Sequence, residues 1–208
     1  MTEQHPCGAP EGFGGRWGNP DADLSGGFPR LAAQLRVFQD AVAAANPPED
    51  VLAELGDLLA AQTDRLGVYA VDEWHQLFGR VRSVPGRAQT MAPVFTVDEV
   101  GTDRVSGRVT LGRFYLGGNG AAHGGVLPLL FDEVLGRLAN TGGRPPSRTA
   151  YLHVDFRSIT PIGPELRVAG WFDREQGRKR YLRASVHHGD VLCAEAEGLF
   201  VQLLPGQP

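Results

Sequence analysis

The sequence predicts an α+β protein in which a curved antiparallel sheet wraps around one central helix, with a helical extension placed ahead of it. Three observations carry this. From Ala92 onward the chain breaks into short alternating runs of the kind that form strands. Within them sits one apolar run with helical spacing, Val126 to Ala139. Ahead of Ala92, apolar residues recur at helical intervals instead.

Met1 to Gly27 is rich in Gly, Pro and polar residues without a sustained period, and is expected to be a flexible arm. Residues 28–90 are expected to hold a helical hairpin and a linker. Leu31, Leu35, Phe38, Val42 and Ala45 lie at helical spacing, with Pro29 at a plausible first position. Asn46-Pro47-Pro48-Glu49-Asp50 then supplies a turn and two acids for the start of a second helix, whose stripe is Val51, Leu52, Leu55, Leu58, Leu59 and Leu66. Both stripes call for something larger to pack on. Tyr69 to Thr90 is ambiguous between a short helix and a linker that clips the hairpin to the main body.

Residues 91–208 carry the sheet. Pro93 to Val100 and Arg104 to Leu111 read as a hairpin. The loop Gly117-Gly118-Asn119-Gly120 leads to His123 and the central helix, and four strands follow: Thr149 to Ser158, Glu165 to Asp173, Lys179 to His188 and Val191 to Leu203. In the first of these four, strict alternation puts Leu152, Val154 and Phe156 toward the helix, with Tyr151, His153, Asp155 and Arg157 on the outer face. The same alternation puts Thr149 on the outer face. Trp171, Tyr181 and Tyr151 are candidates for a surface that the N-terminal helices cover.

Composition narrows the function classes. The chain has 208 residues, a formal charge of −4 and no strongly basic patch, which argues against nucleic acid. No apolar run approaches the roughly eighteen residues of a membrane span, and no signal pattern opens the chain. Cys7 and Cys193 are too few for a disulfide framework or a zinc site, and a reducing cytoplasm is the expected setting. His187 and His188 point to opposite strand faces, while His153 and Asp155 have no third ligand, so no metal site is expected. The glycine-rich loop lacks the lysine and the spacing of nucleotide-phosphate loops.

The chemistry concentrates at His123-Gly124-Gly125 and the helix behind it. Two glycines ahead of a helix leave its first backbone N–H groups uncrowded, a place where an oxygen gaining negative charge can be held. At about 100° per residue, Leu127, Leu130, Phe131, Val134 and Leu138 form the core stripe, while Glu133, Arg137 and Asn140 form the wet face. Glu133 and Arg137 have the spacing of a surface ion pair. Asp132 has no such partner. It shares a face with Pro128, Gly136 and Ala139, which admit a close backbone or ligand, although a solvated helix acid is the plain alternative.

The motifs, taken in order, resemble those of the hotdog-fold acyl-CoA thioesterases of the PaaI and thioesterase-superfamily (4-hydroxybenzoyl-CoA thioesterase-like) type. They are Gly-Asn-Gly-Ala-Ala-His-Gly-Gly (Gly118 to Gly125), Asp132 nine residues after His123, Thr149 to Phe156, Thr160-Pro-Ile-Gly, Gln176-Gly-Arg-Lys, and Cys193-Ala-Glu-Ala-Glu-Gly-Leu-Phe. The resemblance runs from Val94 to Pro205. Pro128 and the long N-terminal region depart from it.

The resemblance implies an acyl-CoA thioesterase that needs no separate cofactor, since CoA belongs to the substrate. Asp132 would attack the thioester or activate water, Gly124 with Gly125 beside it would polarise the carbonyl, and His123 would orient the carbonyl or hold the loop. Thr149 would come from the facing protomer of a homodimer, which could itself form a dimer of dimers. Asn119 is carried as a binding residue. Arg157, Arg178, Lys179 and Arg180 are candidates for the CoA phosphates, or else simply solvated charges. A hotdog hydratase and a non-catalytic acyl-CoA binding module are the alternatives.

Overall fold

The structure, a computed structural model, describes residues 26–81 and 84–207. The expected arm at 1–27 falls almost wholly outside them. Helix α1 spans Gly27–Ala44 and α2 spans Glu49–Gly67. Strands β1 (Thr96–Val100) and β2 (Arg104–Thr110) come next, followed by a short hairpin of β3 (Leu116–Gly118) and β4 (Ala121–Ala122). Helix α3 covers Val126–Ala139, and β5 (Ser147–Phe156), β6 (Glu165–Gln176), β7 (Lys179–His188) and β8 (Val191–Gln202) complete the chain.

Six strands form one antiparallel sheet in the order β1-β2-β6-β7-β8-β5, curved over α3 without closing into a barrel. This is the hotdog fold. Helix α3 is apolar around most of its circumference because the sheet curls around it. Leu127, Leu130, Phe131, Val134, Leu135 and Leu138 are all buried, against Val109, Leu166, Leu182 and Phe200 from the strands. Burial of apolar surface contributes about 25 cal/mol per Å², so this stripe stabilises the packing of helix on sheet.

The helical extension differs from expectation in how it packs. Helix α1 docks on the turn at Arg113–Tyr115 and on the linker, not on the outer sheet face. A small satellite core forms there from Ala32, Val81, Val84 and Ala88, with Phe28 and Phe78 meeting edge to face. Residues 69–81 and 84–90 form turns and a 3-10 segment at Pro85–Ala88, so the described part of the ambiguous region is a linker. Helix α2 has no buried residue, and Leu52, Leu58, Leu59 and Leu66 are exposed. On the outer sheet face, Tyr151 donates to Glu197 and Tyr181 stacks under Arg174; polar partners take the place of a covering helix.

Candidate active site

Two groups of residues come together, one at each end of a short path along α3. The first is built on the glycine-rich loop. The Ala122 N–H donates to the Thr160 carbonyl at 2.8 Å and the Ile162 N–H to that of Gly120 at 3.1 Å, so the Thr160-Pro-Ile-Gly segment stitches the loop in place. The His123 N–H donates to the Tyr115 carbonyl at 2.7 Å. Gly117 must be glycine for this packing, because a Cβ there would lie 2.8 Å from the Cα of His123.

His123 Nδ1 accepts the Gly125 N–H at 3.0 Å, and Gly125 is the N-cap of α3. An N–H can only donate, so Nδ1 carries no proton and the imidazole presents Nε2–H outward. The same bond commits the Gly125 N–H. Gly124, exposed and one residue outside the helix cap, is therefore the better placed donor for an approaching oxygen.

The second group is Asp132 with Thr149. Thr149 Oγ1 donates to Asp132 Oδ1 at 2.7 Å. Strict alternation along β5 would have sent Thr149 outward. A bulge at Ala150 prevents this: Thr149 pairs with Phe200 and Tyr151 with the adjacent Leu199, so Thr149 and Tyr151 face opposite ways. Thr149 thus reaches the acid of its own chain, correcting the expectation of a contribution from a facing protomer. Asn140 fixes the start of β5, since its Oδ1 accepts the Ser147 N–H at 2.9 Å while its Nδ2 donates to the Gly136 carbonyl at 2.7 Å. Asn140 is therefore a tie between helix and strand, not a member of a wet face. Ala139 is likewise buried and does not line the Asp132 face.

Glu133 also differs from its expected role. It accepts from Arg137 at 2.7 Å, as its spacing predicts, but it accepts from Arg87 of the linker as well, and its side chain is only 12% exposed.

The basic candidates lie elsewhere. Arg180 is buried and donates to the carbonyls of Ala139 and Pro145, both at 2.7 Å, beside Glu175. It fastens the C-terminal end of α3, opposite Gly124, and burial pushes its guanidinium below its ordinary range. It is a structural arginine, not a phosphate ligand. Arg178 donates to the Gln202 carbonyl and Lys179 is exposed at the same end. Arg157 is exposed and paired with Glu195 at 2.7 Å and Asp155 at 3.1 Å. Asn119 occupies the β3–β4 turn with φ of 50°. The hydrogen bond that Asp132 makes is with Thr149, not with any of these residues. Among the described residues, no group of three His, Cys, Asp or Glu side chains could hold a metal, and no helix is long and apolar enough to cross a membrane.

A cleft of about 540 Å³ opens beside the loop, lined by Gln39, Thr90, Met91, Phe114, Tyr115, His123, Gly125, Val126 and Leu129. Sequence reasoning missed it. Its walls come from four distant segments, and only the aromatic pair Phe114-Tyr115 just before the glycine-rich loop hinted at it.

An antiparallel sheet curved over a buried helix is the hotdog fold, and here the helix carries a carboxylate with a glycine pair at its start, the arrangement expected of a thioesterase. Comparison with known proteins agrees. Residues 119–194 match the family model described as the thioesterase superfamily. Over 96 residues, 45% of this chain and 39% of the relative, it is 33% identical to acyl-coenzyme A thioesterase THEM4 of Bos taurus. A second match, 35% identical over 83 residues, covers 62% of a Pseudomonas aeruginosa protein; the chain thus spans less than two thirds of these relatives. A solved thioesterase superfamily protein superposes with a TM-score of 0.72 at 28% identity, covering 85% of this chain and 96% of the other. That span is too long for the hotdog domain alone, so it takes in part of the helical extension. AziG of S. sahachiroi shares the fold at 16% identity, with a TM-score of 0.50 over 52% of this chain and 90% of its own.

Proposed function

We propose that this protein hydrolyses acyl-CoA thioesters to the free acid and CoA, with Asp132 as nucleophile or general base and Gly124 as the oxyanion donor. The observation that carries the proposal is the 2.7 Å bond from Thr149 Oγ1 to Asp132 Oδ1. A serviceable carboxylate must be held in one orientation, and a single hydroxyl on one oxygen does this while leaving Oδ2 free to act. Water adds across the thioester; the acyl carbon leaves as a carboxylate and the sulfur as the thiol.

Such a reaction needs attacking and polarising groups each about 3 Å from the reacting carbonyl. At about 1.5 Å of rise per residue, Asp132 stands roughly 9 Å along the axis from Val126. The Asp132 and Gly124 of one chain are therefore poorly placed to act on the same carbonyl, which supports a site shared between two protomers.

The edge strand β5 supplies the means. It has only β8 beside it, so its other edge presents backbone groups that can pair with a second copy. Two-fold antiparallel pairing would set the Phe156 end of one β5 against the Thr149 end of the other. Phe156 lies beside Gly124, whose added Cβ would be 3.7 Å from that ring. The loop of one protomer would thereby reach the Asp132 of its partner and desolvate it. Release of CoA thiol from a panel of acyl-CoAs, wild type beside Asp132→Asn, tests the proposal. Retained turnover in the variant overturns it.

A further inference from the structure

We propose that the cleft beside Gly125 is the acyl-chain site, and that helix α1 and the segment leading into the first strand set the acceptable chain length through Gln39, Thr90 and Met91. This rests on the thioesterase reading above and adds a substrate determinant to it.

The cleft volume of about 540 Å³ falls in the range of small-molecule sites, roughly 300 to 1,000 Å³. Its lining is mainly apolar: Met91, Phe114, the Tyr115 ring, Val126 and Leu129. A thioester whose oxygen rests on the Gly124 N–H has its acyl carbon next to Gly125, which is itself part of the lining. Leu129 lies one turn further along α3 from Gly125 and three residues before Asp132, continuing the apolar wall away from the reacting atoms. A pantetheine arm would bring two amides into this lining, where few polar groups answer them, so the hydrocarbon end is the better occupant.

The extension is bolted to the cleft. Asp40 Oδ1 of α1 accepts the Phe114 N–H at 2.9 Å, and Gly112 lets the carboxylate close in, since a Cβ there would lie 2.2 Å from Asp40 Oδ2. Arg36 donates to the carbonyls of Pro85 and Gln89, fixing the linker just before Thr90. Tyr115 donates to the Thr90 carbonyl at 3.4 Å, while the Tyr115 carbonyl holds His123. Burial keeps the Tyr115 phenol above its ordinary range, so it stays an un-ionised donor. Helix α1, the linker and the catalytic loop thus share one frame, and Gln39 contributes a half-buried polar wall to it. A chain long enough to reach Gln39 would strip water from its amide with nothing to replace it.

The test is the ratio of kcat/KM for dodecanoyl-CoA to that for butanoyl-CoA in the wild type, Met91→Trp and Leu66→Trp. Met91 lines the cleft and is 61% exposed, so a larger ring there narrows the cleft without displacing a core side chain. The ratio is expected to fall at least tenfold in Met91→Trp and to stay unchanged in Leu66→Trp on the exposed α2. An unchanged ratio in Met91→Trp, or an equal loss on both substrates as a pantetheine site would give, overturns the assignment while leaving the thioesterase reading intact. Should the wild type hydrolyse neither substrate, the hydrolase reading fails and dodecanoyl-CoA binding by calorimetry decides the cleft. Binding weakened at least tenfold in Met91→Trp supports it; equal binding, or none to the wild type, overturns it.

Discussion

The hydroxyl of Thr149 and the carboxylate of Asp132 lie 2.7 Å apart between strand and helix, and the contact exists because β5 bulges at Ala150. Without the extra residue the hydroxyl would point away from α3. Hydrogen bonds to charged groups contribute about 1.5–3 kcal/mol, or about tenfold to a hundredfold in rate if the bond persists in the transition state. Thr149→Val is expected to lower kcat by that factor and Thr149→Ser by less than about threefold. Equal activity in all three proteins would show that the hydroxyl does not position the acid.

Asp132→Asn is expected to leave the fold intact and reduce hydrolysis by about two orders of magnitude or more, as removal of an essential base or nucleophile does. Glu133→Gln is a poor control because Glu133 joins α3 to Arg87 of the linker. Glu54→Gln on the exposed α2 is the suitable one. Glu133→Gln should instead loosen the linker, seen as faster proteolysis near residues 84–91 with its circular dichroism spectrum preserved.

These cases mark how far the sequence carries. The stripe of α3 was legible because 3.6-residue periodicity tracks burial directly, and the six strands of the main sheet were legible from alternation, while the short β3–β4 hairpin read as a glycine-rich loop. Strand β7 falls within its expected limits, Lys179 to His188. Strict alternation fails where a bulge inserts a residue, and nothing in Thr149-Ala150-Tyr151 announces one. Charge patterns mislead for a different reason. Arg178-Lys179-Arg180 reads as a basic cluster, yet the burial of Arg180 depends on two carbonyls, Ala139 and Pro145, about 40 residues away in sequence. Residues that meet only in three dimensions, such as Arg87 and Glu133 or Asp40 and Phe114, leave no local signal.

Arg180 therefore predicts a stability effect and not a binding one. Replacing it with Met leaves the Ala139 and Pro145 carbonyls without their donor, at about 1–3 kcal/mol for each unsatisfied group, while Glu175 keeps Arg144. Urea denaturation should show Arg180→Met destabilised by about 2–4 kcal/mol, with KM for acyl-CoA in the folded protein unchanged. A raised KM with undiminished stability would restore the arginine to a phosphate-binding role.

A site shared between two protomers would tie activity to assembly. Phe156 is 58% exposed at the end of the edge strand and lies next to Gly124, so a second copy that pairs along β5 covers it. Phe156→Asp places a charge at that seam, where pairing would have to bury it without a partner. Sedimentation should show the wild type as a dimer and the variant shifted toward monomer, with CoA-thiol release falling in proportion to the dimer lost. Mixing two inactive proteins gives the sharper result. Asp132→Asn supplies an intact loop and no base, while a Gly124→Pro chain supplies an intact base and no N–H donor. If the two groups act across the seam, heterodimers of these variants contain one complete site, and mixing after dissociation recovers up to a quarter of wild-type activity, half the molecules being heterodimers with one of two sites restored. No recovery from well-folded heterodimers would place acid and donor in the same chain, and the rise along α3 would then have to be bridged by movement of the His123-Gly124-Gly125 loop.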